Sequence, residues 1–274
     1  MWSGTTFTPA SGKLIGGHQK LDRIARAHLD ELIDEKPIFP KAKQILRFEG
    51  YRGPDSIKVK SPAKEEPWHY YSPFNDDDGE IIELIRGHYK QLVKVLKSGN
   101  QERTAFEAAW LAHAIVDGLT PAHHYPYEEK IVELWEGGKD QRDTKLKKFI
   151  PPGETNRVRL KKSLKYVGPR GLITLHGAFE VGVAIILRPL SLGEARPTPD
   201  DVKDALELGP IDLFKRSAKE IAVLDMYTRF QKRGWNTKLV YDVRHKLCPT
   251  IVRTVTLVWY LAMVEAGLVK PQEK

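Results

Sequence analysis

The amino-acid sequence predicts an all-α protein, and two observations carry this prediction. Apolar residues recur three and four positions apart through most of the 274 residues, and alternation of the strand type does not persist for long. Hydrophobic residues make up 41% of the chain, which is enough to bury a sizeable core. Because there is no internal repeat and no linker plain enough to separate two units, residues 1–274 are predicted to form a single helical domain.

The predicted helices follow one another along the whole chain. In order they are 21–33, 81–96, 102–116, 172–187, 211–230 and 242–267. The first two carry continuous apolar stripes, the fifth begins after a proline, and the sixth is expected to kink near Pro249. Loops rich in proline and glycine are predicted at 50–79 and 137–171.

The net charge of +8 is concentrated in one segment. Residues 139–170 carry eleven Lys and Arg against three acidic residues, which equals the excess of the whole chain. The favoured interpretation is a solvated loop or insertion, because charge runs usually keep a segment in water. The alternative is a basic rim that attracts the phosphates of a membrane surface or of a nucleic acid.

The sequence does not decide the cellular compartment of the protein. The single cysteine, Cys248, excludes an internal disulfide framework. No run of about 18 uncharged apolar residues occurs, and the N-terminal residues lack the pattern of a signal peptide. The sequence is compatible with a secreted protein whose signal has been removed or with a cytoplasmic one.

Histidines and carboxylates interrupt two of the apolar stripes at a regular spacing. His113 and Asp117 lie four apart on one predicted helix, and His176 and Glu180 repeat this spacing on another. One such pair is often only a satisfied polar pair in a core, but two pairs on different helices favour a metal site, because each buried polar group needs a partner. His123 follows Asp117 where Pro121 ends the helix.

Two further imidazoles, those of His18 and His69, lie at a predicted helix start and in a loop. An inventory of imidazoles and carboxylates of this kind suits zinc.

The order of these residues resembles the zinc-dependent phospholipase C enzymes, which share a helical fold with the single-strand-specific zinc nucleases. That family has a tryptophan near the N-terminus, a histidine at the start of the first long helix and an aspartate in the following loop. Trp2, His18 and Asp55 match these positions. The stretches "HYYSPFNDDDG", which begins at His69, and "HAIVDGLTPAHH", which begins at His113, match the next motifs. His176 and Glu180 match the last.

The resemblance implies a set of ligands for two to three zinc ions. One ion would lie on Asp55, His69, His113 and Asp117, and a second on His123, His176 and Glu180. Asp117 would bridge, and a third ion would use Asp117, His18 and the free amine and carbonyl of the N-terminal tryptophan. The chain departs from this pattern in that Met1 precedes Trp2. It also has about fifty residues between His123 and His176, which indicates an insertion at about 125–171.

Zinc ions held in this way would provide a hydrolytic chemistry. Two ions that share a water lower its pKa to about 7, so hydroxide is available for in-line attack on phosphorus. Asp55 is the candidate general base. Trp68, Tyr70 and Phe74 are candidate substrate-binding residues, because their rings could stack on a base or enclose a choline cation, although packing is the favoured use of most of them.

Three functions remain open from the sequence. A lipid-cleaving phosphodiesterase acting on a phospholipid head group, with contact to a membrane surface, is favoured, because the chain lacks the disulfides that the resemblance implies for the nuclease branch. A nuclease acting on a nucleic-acid phosphodiester and a metal-stabilised helical protein without catalysis are the alternatives. His28, His88 and His245 are interpreted as histidines outside the site, and His123 is preferred to His124 as the ligand.

Overall fold

The described part of the chain folds into helices, and no strand occurs in it. In this computed structural model it comprises residues 1, 3, 16–33, 39–49, 53–55, 70–75, 79–135, 144, 147 and 150–271. The all-α prediction is therefore confirmed. Trp2, Trp68 and His69, together with most of the predicted loop at 50–79, lie outside the described residues.

The helices alternate with short turns. In chain order they are α1 (Gly17–Glu31), α2 (Ala42–Ile45), α3 (Glu80–Ser98), α4 (Gln101–Gly118), α5 (Tyr127–Trp135), α6 (Asn156–Val167), α7 (Leu172–Leu187), α8 (Pro199–Ala222), α9 (Met226–Arg233), α10 (Thr237–Asp242) and α11 (Cys248–Glu265). Short 3₁₀ turns occur at Pro121–His124 and Gly193–Ala195, and a π turn occurs at Val243–Leu247.

Helices α3 and α4 form a hairpin because the residues between them favour a tight reversal. Gly99 ends α3 with a φ of +70°, in the left-handed region that glycine enters without steric cost. Asn100 follows, and its side chain accepts a hydrogen bond from the backbone N–H of Arg103 at the start of α4. This turn fixes α4, which carries His113 and Asp117.

Helix α11 forms the centre of the core. Fourteen of its 18 residues are buried, so it is surrounded by other helices. Trp259 donates a hydrogen bond to the carbonyl oxygen of Ala108 in α4 (3.1 Å), and Thr256 donates to that of Ala25 in α1 (3.3 Å). By length and composition alone, the stretches 156–187 and 237–265 could cross a membrane, but the apolar window of the second is 83% buried in the protein. The irregularity expected near Pro249 is the π turn just before α11.

Two of the predicted segments, the helix at 211–230 and the loop at 137–171, differ from the structure. The helix predicted over 211–230 is divided, because Asp225 adopts a φ of +47° between α8 and α9. Helix α8 also begins earlier than predicted, since Thr198 and Asp201 form a capping box, and it kinks at Gly209. The predicted loop at 137–171 contains α6, which begins where the Thr155 side chain accepts from the N–H of Val158.

Asp242 provides a test of how the C-terminal helices are held together. Its buried carboxylate accepts from Arg229 (2.7 Å) and pairs with Lys246 (2.9 Å). Burial opposes the shift, but these two cations hold the pKa of Asp242 below its ordinary value of 3.8. We expect Asp242→Asn to lower the free energy of unfolding by about 2 kcal/mol at neutral pH. Urea denaturation measures this loss.

The sign of the pH dependence follows from the lowered pKa. The contribution of Asp242 is complete above its unfolded pKa and disappears as the pH falls through the folded pKa, so variant and wild type should converge in acid. Asp204→Asn is the matched control, because its pair with Arg216 is half exposed, and we expect a change of less than about 0.5 kcal/mol. A difference that persists at low pH would contradict this account.

Candidate metal centre

Two groups of buried or partly buried side chains could each hold a metal ion. His18, Asp55 and His113 form the first group, and His123, His176 and Glu180 form the second. In each group the potential ligand atoms lie within 4.8 Å of one another. Most of these side chains are buried; the Asp55 side chain is 16% exposed. Residues from α1, α4, α7 and two turns therefore meet at one place.

Asp117 lies between the two groups. Its Oδ1 is 3.2 Å from Nε2 of His18, and its Oδ2 is 3.2 Å from Nε2 of His113. The same Oδ1 is 3.7 Å from Nδ1 of His123 in the second group. One carboxylate is thus in contact with imidazoles of both groups.

The end of α4 explains why Asp117 and His123 come together. A Cβ on Gly118 would lie 2.6 Å from the ring of Phe214, so only glycine fits where the helix ends against α8. Pro121 then begins the 3₁₀ turn, and the backbone N–H of His123 donates to the carbonyl oxygen of Thr120 (2.8 Å). The chain is turned back, and the His123 side chain points at Asp117.

His124, the neighbouring histidine, points elsewhere. Its Nε2 lies 2.8 Å from the carbonyl oxygen of Gly118, at the C-terminus of α4. Burial lowers the pKa of His124 to about 4, although this hydrogen bond opposes the shift. His124 therefore completes the end of a helix, and His123 belongs to the second group.

The second group is built on α7 and covered by aromatic rings. Oε1 of Glu180 lies 2.9 Å from Nε2 of His123 and 3.2 Å from Nε2 of His176. The two imidazoles stack with their centroids 4.9 Å apart. The Tyr70 ring lies 5.4 Å from that of His123, and Tyr127 stacks on Tyr70 at 4.8 Å. These rings limit the access of water on this side.

The site attracts positive charge. Burial opposes the shift, but the Met1 amine and His176 hold the pKa of Glu180 well below its ordinary value, so this carboxylate is charged at neutral pH. The Met1 amine lies 3.0 Å from Oε1 of Glu180 and also contacts Asp117. Burial would lower the pKa of this amine, yet Asp117, Glu180 and Asp55 raise it. The amino group that the structure places here is that of Met1.

His113 and His123, which contact Asp117 from the two different groups, have pKa values shifted in opposite directions. Burial acts against protonation of His113, but Glu49 and Asp117 outweigh it and raise its pKa to about 10. Burial lowers the pKa of His123 to about 4, against the attraction of Asp117. A cation bound at His113 must therefore displace a proton, whereas His123 is already neutral near pH 7.

Glu49 is a member of the site that the sequence did not reveal. It is fully buried, and its Oε1 lies 2.9 Å from Nδ1 of His113 and 3.6 Å from Nδ1 of His18. Both imidazoles therefore present Nε2 to Asp117. Buried Asp22 lies nearby, and burial together with the charge of Glu49 raises its pKa well above the ordinary value. Glu49 stands 64 residues before His113, so no local spacing indicates it.

The donor set fits zinc. In a tetrahedral zinc site with ligands at about 2.0–2.1 Å, neighbouring ligand atoms are about 3.3 Å apart. The contacts of Asp117 with His18 and His113 and that of His176 with Glu180 are each 3.2 Å. The ring nitrogens of His18 and Nε2 of His113 are buried without a hydrogen bond in the described structure. Imidazoles held in this way against carboxylates are suited to a metal ion.

The other residues singled out in the sequence lie around or away from this site. Phe74 is 68% exposed and lines a cleft of about 310 Å³ with His124 and Tyr227. His28 Nε2 lies 3.0 Å from the carbonyl oxygen of Leu192, and His88 Nδ1 lies 2.7 Å from Glu107. His245 packs on Tyr241 at 4.5 Å. These contacts place His28, His88 and His245 outside the two groups.

A comparison with solved structures finds a similar fold in the alpha-toxin of Clostridium perfringens, from avian strain SWCP. The TM-score is 0.57 at 12% sequence identity, over 93% of this chain and 65% of the toxin chain. At this identity the likeness is one of fold alone, and the chain spans just under two thirds of the length of the toxin. No protein-family model matches the sequence, and no curated protein is significantly similar.

We expect the protein to bind two to three zinc ions per chain, because two groups of ligands flank one carboxylate. Elemental analysis after gel filtration, on protein purified without chelator and resupplied with zinc, measures this ratio. Fewer than two ions per chain would contradict the assignment of both groups.

Glu49→Ala should weaken zinc binding by roughly 10- to 100-fold, because His113 and His18 lose the carboxylate that orients their rings. Competition with a chromophoric chelator measures the affinity. Glu107→Ala is the matched control, since Glu107 is also fully buried and accepts from a histidine Nδ1, that of His88. Equal losses in both variants would show that Glu49 acts only through the stability of the fold.

Proposed function

We propose that the protein is a zinc-dependent phosphodiester hydrolase of the phospholipase C kind. The observation that carries this proposal is the position of Asp117, whose carboxylate contacts imidazoles from two groups of metal-binding side chains. A carboxylate shared between two ligand groups is suited to hold two ions close together, as in two-metal hydrolases. The fold adds support, because the similar alpha-toxin is a zinc phospholipase C.

The described residues would hold zinc in two places. His123, His176 and Glu180 would hold one ion, as the resemblance implies. On the other side of Asp117 the structure groups His18 with Asp55 and His113. The rings of His18 and His113 stack with their centroids 4.2 Å apart. The resemblance instead assigns His18 to a third ion, together with the N-terminal amine. The Met1 amine lies where it could act as that ligand once deprotonated.

The protein side chains would orient the reaction. Bound zinc would supply an activated water and neutralise the oxygens of a phosphate diester. Asp55 is the one carboxylate of the first group, its side chain is 16% exposed, and its Oδ1 lies 3.7 Å from Nε2 of His113. We infer that Asp55 would accept a proton from the attacking water as general base. Glu49 keeps the His113 ring in place, and Tyr70 shields the second group from solvent.

A phospholipid is the favoured substrate within this class. Support comes from the fold of the alpha-toxin and from the single cysteine, which leaves the described chain without the disulfides expected of the related nucleases. Tyr70 is half-buried and lies near His176, so its ring could contact the cation of a choline head group.

Asp117→Asn should reduce phosphodiester hydrolysis by at least roughly a thousandfold, because the variant loses the charge that holds the ions together. The assay follows products from phosphatidylcholine, single-stranded DNA and RNA in parallel, with zinc present. Zinc content, measured on the same samples, should fall as well.

The control is His245→Gln, which changes an exposed histidine outside the two groups and should leave activity unchanged. Similar activity in both variants would refute the assignment of Asp117. Release of nucleotides without release of diacylglycerol would replace the phospholipase proposal by the nuclease. A zinc-loaded, folded protein that cleaves none of the three would indicate a structural metal site.

A further inference from the structure

Helix α6 exposes apolar side chains in the most basic part of the chain. Among its residues only Tyr166 is buried. Leu160 is 61% exposed, Leu164 is 56% exposed and Val167 is 47% exposed. These residues are spaced four and three apart, so they form one continuous stripe along the helix. We call this stripe, Leu160, Leu164 and Val167, the leucine stripe.

Basic residues run beside the leucine stripe. Arg157, Lys161 and Lys165 follow one another at four-residue intervals and are all exposed. By helical periodicity they lie on the ridge next to the stripe, on the side away from buried Tyr166. The outward face of α6 therefore combines an apolar strip with a row of three positive charges.

We propose that this face of α6 docks on the surface of an anionic phospholipid membrane. The leucine stripe enters the boundary between head groups and acyl chains, and Arg157, Lys161 and Lys165 lie against lipid phosphates. Charge alone suits any polyanion, but a nucleic acid offers no apolar layer for exposed leucines. An anionic bilayer offers both, so it matches both rows of side chains.

The C-terminal end of α6 is anchored to its neighbours by close contacts. A Cβ on Gly168 would lie 2.3 Å from the carbonyl oxygen of Leu164, and one on Gly171 would lie 2.5 Å from that of Tyr166. This close turn connects α6 to α7. At the other side of the helix, Tyr166 packs edge-on against Trp135 at 4.8 Å. Because α6 is already helical, docking requires little further ordering of its backbone.

The same anchor leads to the metal centre. The hydroxyl of Tyr127 lies 3.4 Å from that of Tyr166, and its ring lies 5.6 Å from that of His176. Among the described residues, the ring of Tyr127 connects Tyr166, the anchor of α6, with the second ligand group. The metal centre therefore lies on the buried side of α6, opposite the face that would meet the membrane. The docking goes beyond the proposed hydrolysis, because it needs neither zinc nor cleavage.

A second copy of the chain fits this face less well. Two leucine stripes brought together would place the basic rows of both helices side by side, and like charges in contact oppose association. An anionic bilayer, by contrast, attracts the basic row. The charge of the face thus selects the lipid surface over self-association.

Flotation with vesicles tests the docking in the zinc-loaded, full-length protein. We expect binding to vesicles of equal parts phosphatidylcholine and phosphatidylglycerol, and much weaker binding to pure phosphatidylcholine. Leu160→Gln/Leu164→Gln should weaken binding by roughly tenfold, because the stripe no longer enters the bilayer. Arg157→Gln/Lys161→Gln/Lys165→Gln should weaken it by roughly a hundredfold at low salt.

Matched controls test whether vesicle binding depends on this face of α6 or on any exposed apolar side chain or positive charge of the protein. Val223→Gln removes a side chain that is 69% exposed on another helix end, and Lys203→Gln/Lys219→Gln/Lys238→Gln removes three exposed charges elsewhere. Both should bind vesicles more tightly than the α6 variants. Circular dichroism checks folding, and hydrolysis of a small soluble phosphodiester, which needs no membrane, reports separately on the metal centre.

Three outcomes would overturn the proposal. The first is vesicle binding that the Leu160→Gln/Leu164→Gln variant retains in full. The second is binding of a single-stranded oligonucleotide that is tighter than vesicle binding and depends on the basic row alone, which would indicate a nucleic-acid surface. The third is a dimer in gel filtration that the leucine substitutions dissociate, which would assign the stripe to self-association.

Discussion

Buried negative charge at Asp117 is the constraint on which the rest of the site depends. This carboxylate is removed from water, and Glu180 and Glu49 are buried close to the same imidazoles. Carboxylates are costly to bury unless cations or hydrogen-bond donors compensate them. In the structure the Met1 amine contacts Asp117, and the pKa of His113, raised to about 10 by Glu49 and Asp117 against the effect of burial, favours a proton on that ring. Metal ions would provide this compensation more fully, which is why the arrangement is suited to zinc.

The helical core gives these polar groups a rigid frame. Helix α11 is almost entirely buried and is joined to α4 and α1 by hydrogen bonds from Trp259 and Thr256. Gly118 lets α4 end against Phe214 without a clash, and the following turn brings His123 back to Asp117. Ligands carried on packed helices keep their positions better than ligands on loops. The packing of the apolar core therefore also fixes the positions of the metal-binding side chains.

Local spacing explains what the sequence could predict. His113 with Asp117 and His176 with Glu180 lie four apart on helices, and the structure places each pair within 3.2 Å because a helix brings such positions together. Glu49 escaped prediction because its contact with His113 spans 64 residues. Likewise, nothing in the local pattern indicates the left-handed turn at Asp225 that divides the fifth predicted helix.

Composition misled the prediction for α6. Its basic residues, set between prolines and glycines, are typical of a solvated loop, yet Thr155 caps a helix there and Tyr166 anchors it. The helix could form because one buried aromatic side chain and a close turn suffice to hold it against its neighbours. The sequence alone does not show that Leu160 and Leu164 are exposed, because this depends on which face of α6 packs against the protein.

Anomalous diffraction at the zinc absorption edge, from crystals of the zinc-loaded protein, tests the central claim most directly. The account predicts at least two peaks, one on each side of the Asp117 carboxylate, with His123, His176 and Glu180 around one of them and His113 beside the other. A single peak away from Asp117, or no peak at either ligand group in crystals grown with zinc, would contradict it.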